Sequence, residues 1–302
     1  MTPAERPAVL FLIFNRPSAT TRVFDMIRRA APRRLYIAAD GPRAARPAER
    51  ALCEQTRAVV ANPGWHVEVS HLYRENNLGC RDAVSSAIGW FFDHEEEGII
   101  LEDDCLPDLS FFRFAGEMLE RYRDSADVMH ISGDNFQQGR LRGDGSYYFS
   151  KYPHVWGWAS WRRAWRHYDV AMSGFEKEGR DIIKNTWTSP RERGYWIERM
   201  RRAAGNEFNT WDYQWAYTLW KHHGFAILPN MNLVANIGYG ADATHTVGTR
   251  GSGGDSGPEI MEAIQHPSSD LVDMRADRFT FDHHYVTGRL NRMRYTLAGL
   301  SL

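Results

Sequence analysis

The chain has 302 residues, 43% apolar and 25% charged, a balance that excludes a long disordered or collagen-like polymer and suffices for a large core. Lys plus Arg (37) and Asp plus Glu (38) nearly cancel to a net charge of −1, so no global field draws nucleic acid or an acidic membrane and any anion must be held locally. Cys53, Cys80 and Cys105 are too few and too widely spaced for a disulfide framework or a cysteine zinc site, and are expected as reduced thiols of a cytoplasmic protein. The apolar run Ala8 to Phe14 ends in Asn15, Arg16 and Pro17; it is too short to span a bilayer and has no cleavage pattern, so neither leader nor anchor is expected. Eleven tryptophans offer platforms for sugar or base faces, although large core plugs account for most of them.

Val9 to Phe14 is continuously apolar and predicts a strand covered on both faces. Ser18 then caps a predicted helix through Arg29, with Val23, Met26 and Ile27 on one stripe. Leu35 to Ala39 is the second predicted strand. The turn Asp40, Gly41, Pro42 leads to a helix from about Ala48 to Ala61 and a third strand from His66 to Leu72. A helix from Arg81 to Phe92 precedes the strand Gly98 to Leu101, which stops at Glu102, Asp103 and Asp104. Asp108 is positioned to cap a helix carrying Phe112, Ala115, Leu119 and Tyr122, and Val128 to Ser132 closes the series. Alternating strands and helices predict βαβ units in a mainly parallel sheet. All these strands end in polar or acidic residues, and in such a sheet those ends share the edge where ligands bind.

Beyond residue 135 the pattern changes. Trp156, Trp158, Trp161 and Trp165 crowd around Gly157, a helical stretch runs from Ser189 to Ala204, and Trp211 and Trp215 flank Asp212. Ile227 to Asn236 is strand-like. Gly238 to Gly257 holds seven glycines and is expected to be a mobile loop, and the tail from Arg278 is expected to form a closing helix. The chain is therefore expected to be one continuous domain: residues 1–135 a nucleotide-binding half, residues 136–302 an acceptor-side half.

Four groups carry candidate chemistry. Consecutive Glu102, Asp103 and Asp104 repel one another unless a cation relieves them; the alternative is a solvated acidic turn. Asp40 can accept from a ribose or a base N–H, or act as a turn residue. Asp212 between indoles suits a general base, or a helix N-cap. His245 at the edge of the glycine-rich loop can approach a metal or phosphate, although most loop histidines do not. No phosphate loop, G-x-G-x-x-G, G-x-S-x-G or H-E-x-x-H occurs at a strand end, which weakens ATPase, NAD-dependent and hydrolase readings.

In this order, Asn15, Arg16 and Pro17; Asp40; the Arg81 to Phe92 helix; Ile100 to Asp104 with Pro107, Asp108, Phe111 and Phe112; Ser132 to Asn135; Gly157 and Trp158; Trp211 and Asp212; and His245 resemble nucleotide-sugar glycosyltransferases of the GT-A fold, most nearly the N-acetylglucosaminyltransferase I type. The resemblance implies a Rossmann-like α/β fold with a C-terminal acceptor-side extension. It further implies a UDP-sugar donor carrying GlcNAc or another hexose, a glycan or other hydroxyl acceptor, and a Mn²⁺ or Mg²⁺ cofactor. Asn15, Arg16, Asp40, Arg81, Glu102, Asp103 and Trp158 would bind the nucleotide sugar. Asp104 and His245 would hold the metal, and Asp212 would deprotonate the acceptor for inverting displacement, with Glu207 and Asp242 as substitutes. The family's membrane anchor and stem have no counterpart in this sequence, which points to a bacterial-style enzyme of glycan biosynthesis, cytoplasmic or peripheral to the inner membrane. Two other functions compete. A sugar-1-phosphate nucleotidylyltransferase would need a glycine-rich loop where Asn15 to Arg22 has no glycine; a carbohydrate-binding module would need only the tryptophans.

Overall fold

The computed structural model describes residues 6–238, 257–286 and 295. Their strands build an eight-stranded sheet, in the order β3-β2-β1-β4-β8-β6-β9-β7, and a two-stranded ribbon of β10 and β5. The first four strands, β1 (Ala8–Ile13), β2 (Arg34–Ala39), β3 (Glu68–Tyr73) and β4 (Glu97–Glu102), are parallel, with Val9 beside both Leu35 and Ile99. From β1 the chain steps outward to β2 and β3, then returns to place β4 on the other side of β1. The reversal opens a crevice at the carboxyl ends of β1 and β4, the topological switch point where ligands of α/β sheets bind.

Alternation along the strands separates two cores. Leu10, Leu12, Tyr36, Ala38 and Ile100 face α3 (Cys80–His94), α7 (Pro190–Ala204) and α8 (Asp212–Lys221). Val9, Phe11, Leu35, Ile37 and Ile99 face α1 (Pro17–Ala30) and α4 (Leu109–Arg121). Each of the valine, leucine, isoleucine and phenylalanine side chains contributes about 1.5–3 kcal/mol by leaving water. α2 (Glu49–Val59) packs on α1.

The predicted elements of this half are present with shifted ends, and one cap differs. Pro17 occupies the first turn of α1, so Ser18 lies inside the helix, and Arg16, the cap residue, makes no side-chain cap bond; proline fixes the φ that a first turn needs. Asp108 does cap α4, accepting from Ser110 N at 2.8 Å.

The second half departs further. Between β4 and β6 (Val128–Ser132) lies β8 (Trp158–Trp161), antiparallel to both, so the sheet is mixed and part of the tryptophan cluster is a central strand. Because β4 and β6 run the same way, the ends of both lie on the crevice edge. β5 (Cys105–Pro107) leaves that edge and pairs with β10 (Val234–Asn236), which is separated from β9 (Phe225–Pro229) by Asn230 to Leu233, so the single strand expected from Ile227 to Asn236 is two. β7 (Tyr147–Ser150), α5 (Arg162–Trp165) and α6 (Phe175–Thr186) complete the region. α9 (Met274–Thr280) continues into a π-helical turn, Phe281–Tyr285; the expected closing helix thus begins before Arg278, and most of the tail lies outside the described residues.

Among the described residues no helix is long and apolar enough to cross a membrane. The three cysteines are free. Eight of the eleven tryptophans, Trp158, Trp161, Trp165, Trp187, Trp196, Trp211, Trp215 and Trp220, are buried, so the core-plug reading holds for most of them.

Candidate active site

At the switch point the chain leaves β1 through Phe14, Asn15 and Arg16 and leaves β4 through Asp103 and Asp104. The Arg16 guanidinium donates from Nη1 to Asp103 Oδ1 (3.1 Å) and Asp104 Oδ2 (2.6 Å), and the Phe14 amide donates to Asp103 Oδ2 (3.1 Å). The two carboxylates keep only 8% and 15% of their side-chain exposure. Burial, then neighbouring Asp104, raises the Asp103 carboxyl, with Arg16 opposing. Glu102 is raised by burial and by the charges of Asp104, Asp103 and Asp212. Concentrated acids that one arginine incompletely offsets mark a functional site more often than a structural one.

Beside the acids lies a cavity of about 220 Å³ lined by Arg16, Arg43, Arg74, Asp40, Glu102 and Asp103 among others, over an apolar floor of Leu12, Ala38, Ala83 and Val84. Sequence patterns did not single out Arg43 and Arg74. Buried Glu49 clamps Arg43, accepting from its backbone N (2.8 Å) and its Nε (3.0 Å), and also accepts from Asn15 Nδ2 at 2.9 Å. Asn15 therefore braces this wall through Glu49. Asp40 lines the cavity, but its carboxylate accepts from Asn77 Nδ2 (2.8 Å) and from the amides of Gly41 (2.9 Å), Leu78 (3.0 Å) and Gly79 (3.1 Å). It ties the end of β2 to the turn before α3, the turn role that its sequence context also allowed.

Two expected ligand residues lie elsewhere. Arg81 turns to Asp82 (Nε to Oδ1, 2.8 Å) and to Asn206, and does not line the cavity. Trp158 is 1% exposed, stacked on His130 at 4.9 Å and on Trp211 at 5.4 Å; its position inside the sheet makes it core. Asp212 is brought to the site: it opens α8, accepts from Thr210 Oγ1 at 2.5 Å, and lies near enough to raise both Glu102 and Cys80, a cavity residue. Trp211, the cap position, makes no side-chain cap bond. His245 and Asp242 lie outside the described residues, as does the expected mobile loop except for Gly238 and Gly257. That segment begins against the acids: the Ile237 amide donates to Asp104 O at 2.8 Å, and a Cβ on Gly238 would lie 2.3 Å from Asp104 Oδ2.

Asp134 is a further acid on this edge. It follows β6, is 1% exposed, and neither carboxylate oxygen has a hydrogen-bond partner among the described residues. Burial holds its carboxyl far above the usual range, and it lies near enough to raise Cys105 and Tyr285. Gly133 donates to Gly157 O at 2.7 Å, and Gly157 has φ +63°, with Val234 filling the place of its Cβ; this close approach fixes Asp134 and Trp156 side by side. Asp134 obeys the rule that strand ends carry the polar groups, which was the signal available for finding it.

No family model matches the chain, and no curated protein matches it. Among solved structures, the crystal structure of HddC from Yersinia pseudotuberculosis is similar over 52% of this chain and 77% of its own, with a TM-score of 0.31 and 11% identity. A likeness that slight assigns neither a fold family nor an activity.

Proposed function

We propose that the chain is a GT-A glycosyltransferase that moves a hexose from a UDP-sugar to a hydroxyl acceptor with inversion. The observation carrying this reading is the gathering of Arg16, Asp103, Asp104 and Asp212 at the switch-point crevice, beside a cavity walled by three guanidiniums. A nucleoside diphosphate sugar is a planar base, a polyol and a polyanion. The apolar floor accommodates the base, Arg16, Arg43 and Arg74 supply charge for the diphosphate, and the acids face hydroxyls or a cation.

The donor set fits Mn²⁺ or Mg²⁺ in one way. Among the described residues no three His, Cys, Asp or Glu gather as a self-sufficient metal group. Both oxygens of Asp103 are engaged, whereas among the described residues Asp104 Oδ1 accepts from the Cys105 thiol at 3.6 Å. One or two carboxylates are enough for a cation that shares its ligands with substrate phosphates, so Asp104, backed by Asp103, would hold it. Such a cation supplies Lewis-acid neutralisation of the leaving diphosphate. Asp212 takes the proton of the acceptor hydroxyl as that oxygen attacks the anomeric carbon, so a single displacement needs no enzyme nucleophile. Arg16 keeps the acids in register and adds a donor to the diphosphate oxygens.

Incubation with a panel of UDP-sugars tests the proposal. Metal-dependent UDP release from at least one donor, faster with an acceptor, is the expected result. Failure with every donor rejects it, and pyrophosphate release from UTP plus a sugar 1-phosphate would assign a nucleotidylyltransferase instead.

A further inference from the structure

The turn that continues α9, Phe281–Tyr285, is π-helical and is closed by the Val286 amide on Phe281 O at 2.9 Å. An ion pair between Arg191 and Asp282 holds it against α7. Such turns interrupt the regular helical ladder and are frequent at functional sites. This one brings two rings to the acid-bearing edge of the sheet. His284 lies flat on Phe136, two residues beyond Asp134, with ring centres 3.7 Å apart, and Phe136 meets Trp156 edge-on at 5.1 Å. Tyr285 adjoins His284 at 4.8 Å and lies near enough to Asp212 and Asp134 for both to raise its phenol. His284 is exposed, and Tyr285 and Trp156 are half-buried. The surroundings of His284 nevertheless push its imidazole down to about 4 by desolvation; an exposed ring that is also crowded stands in a recess.

Buried beside Trp156 and within reach of Tyr285 is Asp134, whose two carboxyl oxygens have no hydrogen-bond partner among the described residues. His154, edge-on to Phe136 at 4.5 Å, likewise has no partner for Nε2 among them. Two polar groups left open beneath accessible rings carry a desolvation cost that a bound hydroxyl or an ordered water recovers. A pyranose has the matching chemistry: a face of C–H groups that lies on aromatic rings, and a rim of hydroxyls that both donate and accept. Burial keeps the Asp134 carboxyl in its neutral form, which suits a hydroxyl and not a cation. We propose that this recess is the acceptor subsite and that its occupant is a hexopyranose, seated on Trp156, His284 and Tyr285 with a hydroxyl reaching Asp134 directly or through one water. Its role towards an acceptor rests on the transferase reading; its affinity for a sugar does not.

Saturation-transfer NMR of the full chain with a panel of methyl hexopyranosides and disaccharides, without donor, tests this. At least one sugar should take up saturation on its ring protons, whereas glycerol and N-acetylserinamide should not. Asp134→Leu should lower the affinity for that sugar about tenfold, the worth of one hydrogen bond. The same variant should melt no lower than wild type, because the protein loses a buried carboxyl that it does not satisfy. Asp134→Asn, which still donates and accepts, should keep most of the affinity. His284→Ala, at an exposed ring, should lower affinity severalfold with unchanged melting, and it decides the matter if the leucine variant fails to fold. No sugar signal, equal signals from glycerol, or an affinity indifferent to Asp134→Leu and His284→Ala would overturn the proposal. Sugar binding by a chain that releases UDP from no donor would keep the site and reject the transferase reading; UDP release without sugar binding would reject this site alone.

Discussion

At the amino-terminal edge of the central sheet, Glu95 accepts from the Tyr36 hydroxyl at 2.8 Å and pairs with Arg34 at 2.7 Å. Glu97 is held there by Arg123 at 2.8 Å, which also reaches Glu120 at 2.7 Å. At the carboxyl-terminal edge, Glu102, Asp103 and Asp104 meet Arg16, and Asp134 is buried without a hydrogen-bond partner among the described residues. The acids of the first group are all ion-paired, Glu97 and Glu120 through the shared Arg123, the arrangement expected where charge serves only the fold. The second group concentrates negative charge in a crevice at a cost in desolvation and repulsion. A cost of that kind is retained where a ligand supplies the missing partners.

The largest effect expected from this contrast is on rate. Asp212→Asn preserves shape but removes the proton acceptor, and should lower transfer about 10²–10⁴-fold while donor binding persists. Near-normal turnover under saturating donor would move the base to Glu207 or Asp242. Next in size is Arg16→Met, which leaves Asp103 and Asp104 buried without their cation and should destabilise the fold by about 3–5 kcal/mol at alkaline pH. The loss should shrink as pH falls and the crowded carboxyls take up protons, and denaturant midpoints across pH would show it. A destabilisation independent of pH would mean that Arg16 acts through packing alone.

Asp277 carries a smaller effect. Burial pushes its carboxyl up to about 7, against accepted bonds from Ser150 Oγ (2.5 Å) and Lys151 N (3.2 Å). A folded value above the unfolded one means that stability is lost as pH rises. Wild type should therefore lose stability relative to Asp277→Asn from about pH 4 to about pH 7, by on the order of 4 kcal/mol at most, and then level off. A flat difference would place the proton elsewhere. The smallest effect belongs to the amino-terminal edge: Arg123, with nearly half its side chain exposed, should cost less than about 1 kcal/mol when changed to Gln and leave activity intact.

How much of this was legible in the sequence depends on how local the determining forces are. Val9 to Ile13 and Ile99 to Leu101 are runs whose burial on both faces is written in their composition, and the acids that end β4 follow directly. Trp158 to Trp161 has no such signature. Four residues amid aromatics become a central strand because β4 and β6 leave a slot between them, so Trp158 is core rather than a ligand platform. Arg81 turned outward because Asp82 and Asn206 compete for its guanidinium. Arg43 and Arg74 reach the cavity from loops, through contacts with Glu49 and Ser86 that no spacing encodes. Asp134 was legible in principle, since Gly133 and Asp134 end a predicted strand as Asp103 and Asp104 do.

The central claim is that the carboxyl-terminal edge holds its acids for a cation and a nucleotide. Calorimetric titration of UDP into the full chain, with and without Mn²⁺, tests it most directly when paired with Asp104→Ala. The account predicts binding that depends on Mn²⁺ in the wild type and is lost in a variant that still melts cooperatively. UDP affinity that is the same with and without Mn²⁺, or unchanged by loss of Asp104, would contradict it.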